Sequence, residues 1–151
     1  MRTQPMLLCV AVALLGLILL EGCARPNKQL FYGTWVSEKG HIQKSVRTLD
    51  GEVDNYALTS DTAPFERSKG QIISCWLDSE GNTWFKCEGT ITEGPYKNSV
   101  PKVQTLEKIS KSGTSLEVMV NGVVEFNPKS FPTKIDPTDT EFYMAFTRAE
   151  K

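Results

Sequence analysis

The sequence has a single histidine, His41, and it lacks the motifs that would draw that residue into catalysis. A Ser/His/Asp triad would have to use His41, and no G-x-S-x-G nucleophile elbow is present. No glycine-rich phosphate loop opens a helix. The acidic pair Asp136 and Asp139 lies in a proline-rich segment where nothing predicts burial or a raised pKa. The sequence therefore predicts no catalytic residue and no enzyme.

Neither sign of charge is in excess, and cysteine is scarce. Seventeen Lys and Arg residues stand against 18 Asp and Glu, for a net charge of −1. Such a chain has no basic surface for nucleic acid, and we expect no nucleic-acid partner. Of the four cysteines, only Cys75 and Cys87 lie well inside the chain. Two cysteines and one histidine cannot complete a structural zinc site, so neither a metal nor another cofactor is expected.

The one long hydrophobic run is too short to cross a bilayer comfortably. Residues 6–20, MLLCVAVALLGLILL, are fifteen apolar residues after a short head that carries Arg2. A membrane-spanning helix needs about 20 such residues. The run matches the apolar region of a signal peptide, so we expect the chain to be exported. Export places the remaining cysteines in a compartment where disulfides persist.

The residues after this run resemble the processing site of bacterial lipoproteins. That site is Leu, a small or apolar residue, Gly or Ala, and then Cys. Here it is Leu20-Glu21-Gly22-Cys23, which departs from the pattern only at Glu21. The resemblance implies a signal peptide over residues 1–22 and lipid attachment at Cys23.

Lipidation at this cysteine would make the protein membrane-bound. Three acyl chains form a firm anchor, and residues 23–29 would be a short tether. Ala24 after the cysteine is similar to lipoproteins that are sorted to the outer membrane of the cell envelope. The alternative is ordinary signal-peptidase cleavage after Ala24, which would release a soluble periplasmic or secreted protein.

From residue 30 onward the pattern is that of short strands. Alternating apolar and polar residues recur at roughly ten-residue spacing, and no stretch has convincing helical periodicity. Turn signals stand between them at Asp50-Gly51, Gly94-Pro95, Gly113 and Asn121-Gly122, of which the last is the strongest. We predict an all-β fold, an antiparallel up-and-down β-barrel of about eight strands.

The C-terminal part of the chain predicts a long loop and a closing strand. Residues 127–140 contain three prolines and no periodicity, which is typical of an extended loop. Residues 141–148, EFYMAFTR, then alternate, with Phe142, Met144 and Phe146 on one face.

A central hairpin can be given a register. A turn centred on Gly81 places Cys75 opposite Cys87 on an apolar, inward face. Directly opposed residues bring their Cβ atoms close enough for a disulfide. We therefore predict a structural Cys75–Cys87 disulfide, because a redox-active pair would need closer spacing.

The same register places Trp76 and Trp84 on the outer face among charged residues. Two tryptophans in that setting indicate an exposed aromatic patch for a partner. The alternative is that the 127–140 loop folds over them.

The first predicted strand contains Gly33-Thr34-Trp35, which resembles the G-x-W signature of lipocalins and of small bacterial lipocalin-like domains. In that family the tryptophan packs across the closed end of an eight-stranded barrel, against an arginine near the end of the last strand. The resemblance implies that Arg148 packs on Trp35, and that residues 30–151 form a lipocalin-like barrel.

Two classes of function follow as expectations. The first is a carrier or sensor that holds a small apolar ligand in the barrel, which requires an interior cavity. The second is an envelope protein-interaction module, an inhibitor or a subunit of a membrane assembly, that presents Trp76, Trp84 and the 127–140 loop. It requires that both indoles be exposed on one face.

Overall fold

The computed structural model describes residues 24–40, 42–60 and 66–150. The predicted signal peptide, the predicted lipid-attachment residue Cys23 and the lone histidine, His41, lie outside these ranges. No helix within the described ranges is long and apolar enough to cross a membrane.

Eight antiparallel strands form a closed barrel, which confirms the predicted fold class. Each strand pairs with the next along the chain, and the last pairs with the first. A 3₁₀ helix, Lys28–Phe31, precedes them. The strands are β1 (Gly33–Lys39), β2 (Lys44–Leu49), β3 (Asn55–Ser60), β4 (Glu66–Leu77), β5 (Thr83–Glu93), β6 (Lys102–Ile109), β7 (Ser115–Val123) and β8 (Tyr143–Arg148).

The two ends of the barrel differ in how they are built. One end, here called the closed end, carries the 3₁₀ helix and the turns 50–54, 78–82 and 110–114. The other, here called the far end, carries the loops 94–101 and 124–142. Up-and-down topology requires this division, because successive connections must alternate between the ends.

Aromatic side chains fill the barrel at the closed end. Phe31, the last residue of the 3₁₀ helix, is fully buried, with its ring centroid 4.9 Å from that of Tyr56 and 5.3 Å from that of Phe85. Trp35 on β1 is also fully buried, and its indole N–H donates to the Phe31 carbonyl at 3.4 Å. The 3₁₀ helix therefore acts as a plug that completes the core.

The turn predicted at Asn121-Gly122 is wrong, since both residues lie inside β7. Asn121 pairs with Gln104 and Gly122 with Val103, so the chain on both sides of the dipeptide pairs with β6. Gly122 is needed for a close approach instead, because a Cβ atom there would collide with the Val100 side chain. The hairpin turn lies at residues 110–114, where Gly113 has the positive φ of 73° that its turn requires.

The register predicted for the β4–β5 hairpin is also wrong, by two residues. Cys75 pairs with Phe85, and Cys87 pairs with Ile72. The turn spans 78–82 and is centred one residue before Gly81, and moving a turn centre by one residue displaces the pairing by two. A bulge between Ile72 and Ser74 then leaves Ile73 exposed on the outer wall.

This pairing removes the geometry on which the predicted disulfide depended. Cys75 and Cys87 are diagonal neighbours, whose Cα atoms lie about 7–8 Å apart in such a position, too far for easy bridging. Both are free thiols in the structure. Burial raises the pKa of the Cys75 thiol to about 11 and that of the Cys87 thiol well above its usual value. Both thiols are therefore protonated at neutral pH, the form that is the weaker nucleophile.

The long loop before the last strand is confirmed, and it packs on the outside of β6 and β7. Gln104 Nε2 donates to the Asn127 carbonyl at 2.9 Å, and Asn121 Nδ2 donates to the Ser130 carbonyl at 2.6 Å. Phe131 is buried beneath the loop, with Lys86 Nζ 5.4 Å from its ring centroid. The loop therefore covers a different part of the wall from the one that carries Trp76 and Trp84.

Candidate functional site

An ion pair crosses the inside of the barrel just above the aromatic plug. Arg47 on β2 and Glu107 on β6 are each only 3% exposed, and Arg47 Nη1 donates to Glu107 Oε2 at 2.5 Å. Thr105 Oγ1 donates to the other carboxylate oxygen at 2.8 Å. The guanidinium carbon lies 4.5 Å from the ring centroid of Phe31. This pair, here called the floor, closes the apolar core and faces the far end.

The wall beside the floor carries polar atoms that have no partner in the part of the chain that the structure describes. Ser45 lies two residues before Arg47 on the same face of β2, and it pairs directly with Ser60 on β3. Ser45 is 2% exposed and Ser60 is fully buried. Among the described residues nothing bonds to Ser45 Oγ, Ser60 Oγ or Arg47 Nε. These three atoms on adjacent strands are an inward group of buried polar atoms without partners among the described residues, here called the β2–β3 wall.

Apolar residues and one tyrosine complete this interior. Leu58 lies between Tyr56 and Ser60 on the inner face of β3, and Met144 on β8 contributes to the core from the other side. The Tyr56 ring is accommodated by Gly70, because a Cβ atom there would collide with it. Burial raises the pKa of Tyr56 well above its usual value, with a smaller contribution from the buried Cys87 thiol beside it. Tyr56 is therefore a neutral wall residue.

The contact implied by the lipocalin resemblance is present at the closed end. The guanidinium carbon of Arg148 lies 4.1 Å from the Trp35 ring centroid. Its nitrogens donate to the carbonyls of Leu30 at 2.6 Å, Tyr32 at 2.9 Å and Gly113 at 2.7 Å. Gly33 has a φ of 122°, and a Cβ atom there would lie 2.9 Å from Arg148 Nη1. These residues fasten the 3₁₀ helix to the barrel.

The two predicted patch tryptophans pair directly across β4 and β5 on the outer wall. Their rings are stacked, 6.1 Å apart and 10° from parallel, and Trp76 is 37% exposed. Lys108 Nζ lies 5.7 Å from the Trp84 ring centroid and pairs with Glu117 at 3.0 Å. Trp84 is thus half-buried between its neighbours, and Trp76 presents most of the aromatic surface.

A carboxylate holds this pair in place. Asp78 Oδ2 accepts from the Trp84 indole N–H at 2.8 Å, and Asp78 Oδ1 accepts from the backbone N–H groups of Glu80 and Asn82. The hydrogen bond from Trp84, followed by that from the Asn82 side chain, lowers the pKa of Asp78 well below its usual range. The Trp84 indole is therefore held in place by the 78–82 turn that precedes it in the chain.

A groove of about 320 Å³ lies on the outer wall between the long loop and β7, lined in part by Met119, Phe131 and Phe142. Some of its polar groups are bonded to one another, as in the hydrogen bond from Asn121 Nδ2 to the Ser130 carbonyl. One buried acceptor under the loop, Gln104 Oε1, lacks a partner among the described residues. The interior holds three such atoms side by side, so it is the stronger candidate site.

Within the described ranges, no group of three or more His, Cys, Asp or Glu side chains could hold a metal ion. Sequence reasoning missed Ser45, Arg47, Ser60 and Glu107, because polar residues in an alternating strand are normally assigned to solvent. The sequence did carry a signal for Glu107. It lies two residues before the inward Ile109 on β6, so the two side chains face the same side of the strand.

No protein-family model, no curated protein and no solved structure matches this chain.

Proposed function

We propose that this protein binds a small molecule inside its barrel, between the Arg47–Glu107 floor and the far end. The observation that supports this is the β2–β3 wall, with Ser45 Oγ, Ser60 Oγ and Arg47 Nε all buried and unpartnered among the described residues. An unsatisfied buried polar group costs about 1–3 kcal/mol, and folded proteins keep few of them. A second molecule that supplies hydrogen bonds would offset that cost.

This wall favours a ligand with hydrogen-bonding groups, rather than the wholly apolar ligand expected from the sequence. The guanidinium Nε can only donate, and each serine hydroxyl can donate or accept. Leu58 and Met144 supply apolar contact in the same interior. The proposed ligand is therefore a compact molecule with polar groups on one side and some apolar surface on the other.

The double variant Ser45→Ala/Ser60→Ala tests the proposal. We expect it to bind the retained ligand at least about tenfold more weakly, since two hydrogen bonds are lost. The ligand-free variant should be more stable than the ligand-free parent by about 1–3 kcal/mol, because two unpaired buried hydroxyls are removed. Native mass spectrometry of protein purified from its own host measures retention, and urea unfolding after ligand removal measures stability.

Ser74→Ala, on the exposed outer face of β4, is the matched control and should change neither quantity. Unaltered ligand retention by the double variant would contradict the proposal, as would the purification of wild type with no small molecule bound.

The second candidate is an envelope protein-interaction module that uses the outer wall. It is supported by the exposure of Trp76 beside a rigidly held Trp84. The same purification separates the two candidates. A co-purifying protein that is lost on Trp76→Ala, with no small molecule in the barrel, would favour this one.

We also propose that Cys23 is lipid-modified and holds the protein at the cell envelope. Metabolic labelling with palmitate in a bacterial host should mark the wild type and the Cys9→Ser variant, but not Cys23→Ser. Wild-type protein that takes up no label and remains in the soluble periplasmic fraction would contradict the anchor and favour cleavage after Ala24.

A further inference from the structure

Three exposed apolar side chains lie on one side of the closed end. Val53 is in the turn between β2 and β3, and Ile73 and Trp76 are on the outer face of β4, close to its end. Each is between 37% and 56% exposed. The amide of Ile72 donates to the carbonyl of Asp54 at 2.8 Å, so Val53 and Ile73 each adjoin the same hydrogen bond. Trp76 follows about 10 Å further along β4. These three residues are here called the closed-end rim.

The chain that leads to Cys23 joins the barrel beside this rim. Lys28, the first residue of the 3₁₀ helix, donates to Asp54 Oδ1 at 2.6 Å, and Tyr32 Oη donates to the Val53 carbonyl at 2.9 Å. Cys23 lies five residues before Lys28, so an extended chain separates the two by at most about 18 Å. An acyl chain on Cys23 would therefore keep the rim close to the lipid headgroups.

Trp76 has the amphipathic character of side chains that lie at a membrane surface. Asp78 accepts from the indole N–H of the stacked Trp84, whereas no bond within the described ranges takes up the indole N–H of Trp76. The exposed ring can contact acyl carbons while its N–H bonds to water or to headgroup oxygens. Tryptophan is enriched at both faces of bilayers because it combines these two properties.

The ion pairs that border the rim cancel their own charges. Lys28 pairs with Asp54, and Lys69 on β4 pairs with Asp50 at 3.0 Å in the turn that carries Val53. The rim itself therefore offers a partner apolar surface, not a field of one sign. Its contact with a bilayer would depend on apolar burial and only weakly on anionic lipids.

We propose that the closed-end rim contacts the surface of a lipid bilayer, with Val53, Ile73 and Trp76 in the layer of headgroups and upper acyl carbons. This inference rests on the proposed lipid modification of Cys23, and it adds a face of the barrel to that anchor. The anchor and the rim would act together, because a tethered surface meets its target at high effective concentration and needs little affinity of its own.

Site-specific fluorescence tests the contact. Lipidated protein that carries Val53→Cys or Ile73→Cys is purified from membranes, labelled with a fluorophore and reconstituted into phosphatidylcholine vesicles with nitroxide-bearing lipids. We expect nitroxide quenching at either position to be at least about threefold stronger than at Val124→Cys, because an interfacial surface sits at the boundary of headgroups and acyl chains. Val124 is the matched control, since it is apolar and 80% exposed but lies at the far end. Labelled wild type gives the background from Cys75 and Cys87.

A label-free measurement decides if a cysteine variant fails to fold. Phosphatidylcholine brominated on the upper acyl chain should quench the tryptophan emission of lipidated wild type. Trp76→Phe should lose most of that quenching, because Trp35 is fully buried and Trp84 is half-buried. Replacing part of the phosphatidylcholine by phosphatidylglycerol should leave the quenching unchanged.

Flotation of the same vesicles separates this inference from the anchor on which it rests. Protein that floats with the vesicles, but is quenched no more at positions 53 and 73 than at 124, would overturn the rim contact and leave the anchor standing. Wild-type protein that does not float would overturn both. A co-purifying protein that is lost on Trp76→Ala, with no quenching of wild type by brominated lipid, would assign the rim to a protein partner instead.

Discussion

Replacing Glu107 with leucine is expected to lower the free energy of unfolding by about 3–5 kcal/mol, because it leaves the Arg47 guanidinium buried without its partner. Both side chains are 3% exposed, so water cannot replace the missing carboxylate. Thr105 also loses the acceptor of its hydroxyl. A urea unfolding curve measures the loss, which is a large fraction of the stability of a domain of this size.

The double variant Arg47→Met/Glu107→Leu should regain most of that loss, because replacing a whole buried pair by apolar side chains is often neutral or stabilising. Glu93→Gln removes one member of the exposed Arg67–Glu93 pair and should cost less than about 1 kcal/mol. A double variant as unstable as Glu107→Leu would show that the floor stabilises the barrel by something other than charge pairing.

Replacing Arg148 with methionine is expected to cost about 3 kcal/mol, since three hydrogen bonds from a charged group and a cation–π contact are lost together. The three acceptor carbonyls belong to the 3₁₀ helix and its exit, Leu30 and Tyr32, and to the turn at Gly113. The loss should therefore be concentrated at the closed end. Amide hydrogen exchange should speed up first in residues 28–35 and 110–115, ahead of the strands.

Arg148→Lys is the informative companion variant. One ammonium can keep the charge over Trp35 but cannot reach three carbonyls in fixed directions, so it should recover less than half of the loss. A loss below about 1 kcal/mol in the methionine variant, or exchange that rises evenly through the barrel, would contradict the role assigned to this residue.

The strands were predictable because their signal is local. On β8 the inward Met144 and Phe146 alternate with half-buried residues on the outer face, and turns at 50–54 and 110–114 carry glycines with positive φ. The Trp35–Arg148 contact, between residues far apart in sequence, was expected from the resemblance to lipocalins alone. The structure contains it because β1 and β8 pair with Trp35 directly opposite Arg148.

The predictions that were wrong, and the residues that were missed, depend on contacts between strands that are not local in sequence. Asn121-Gly122 has the composition of a turn, but β6 offers partners to the residues on both sides of it, and tertiary pairing prevailed. The position of the bulge at Ile73 is set by fit to β5, so parity along β4 changes where no local signal marks it. The inward Arg47 could not be assigned without knowing that Glu107 lies across the barrel.

The 3₁₀ plug also determines how the protein would stand on a membrane. Residues 24–27 leave the barrel at the closed end, directly beside Lys28, which pairs with Asp54 in a turn at that end. An acyl chain on Cys23 would therefore hold the closed end against the lipid headgroups. The eight residues of β6 cover about 26 Å of chain, or about 20 Å of height once strand tilt is included. The far end would then face the aqueous compartment, so a small molecule held in the barrel as proposed would exchange with solvent and with soluble proteins, and not with the bilayer.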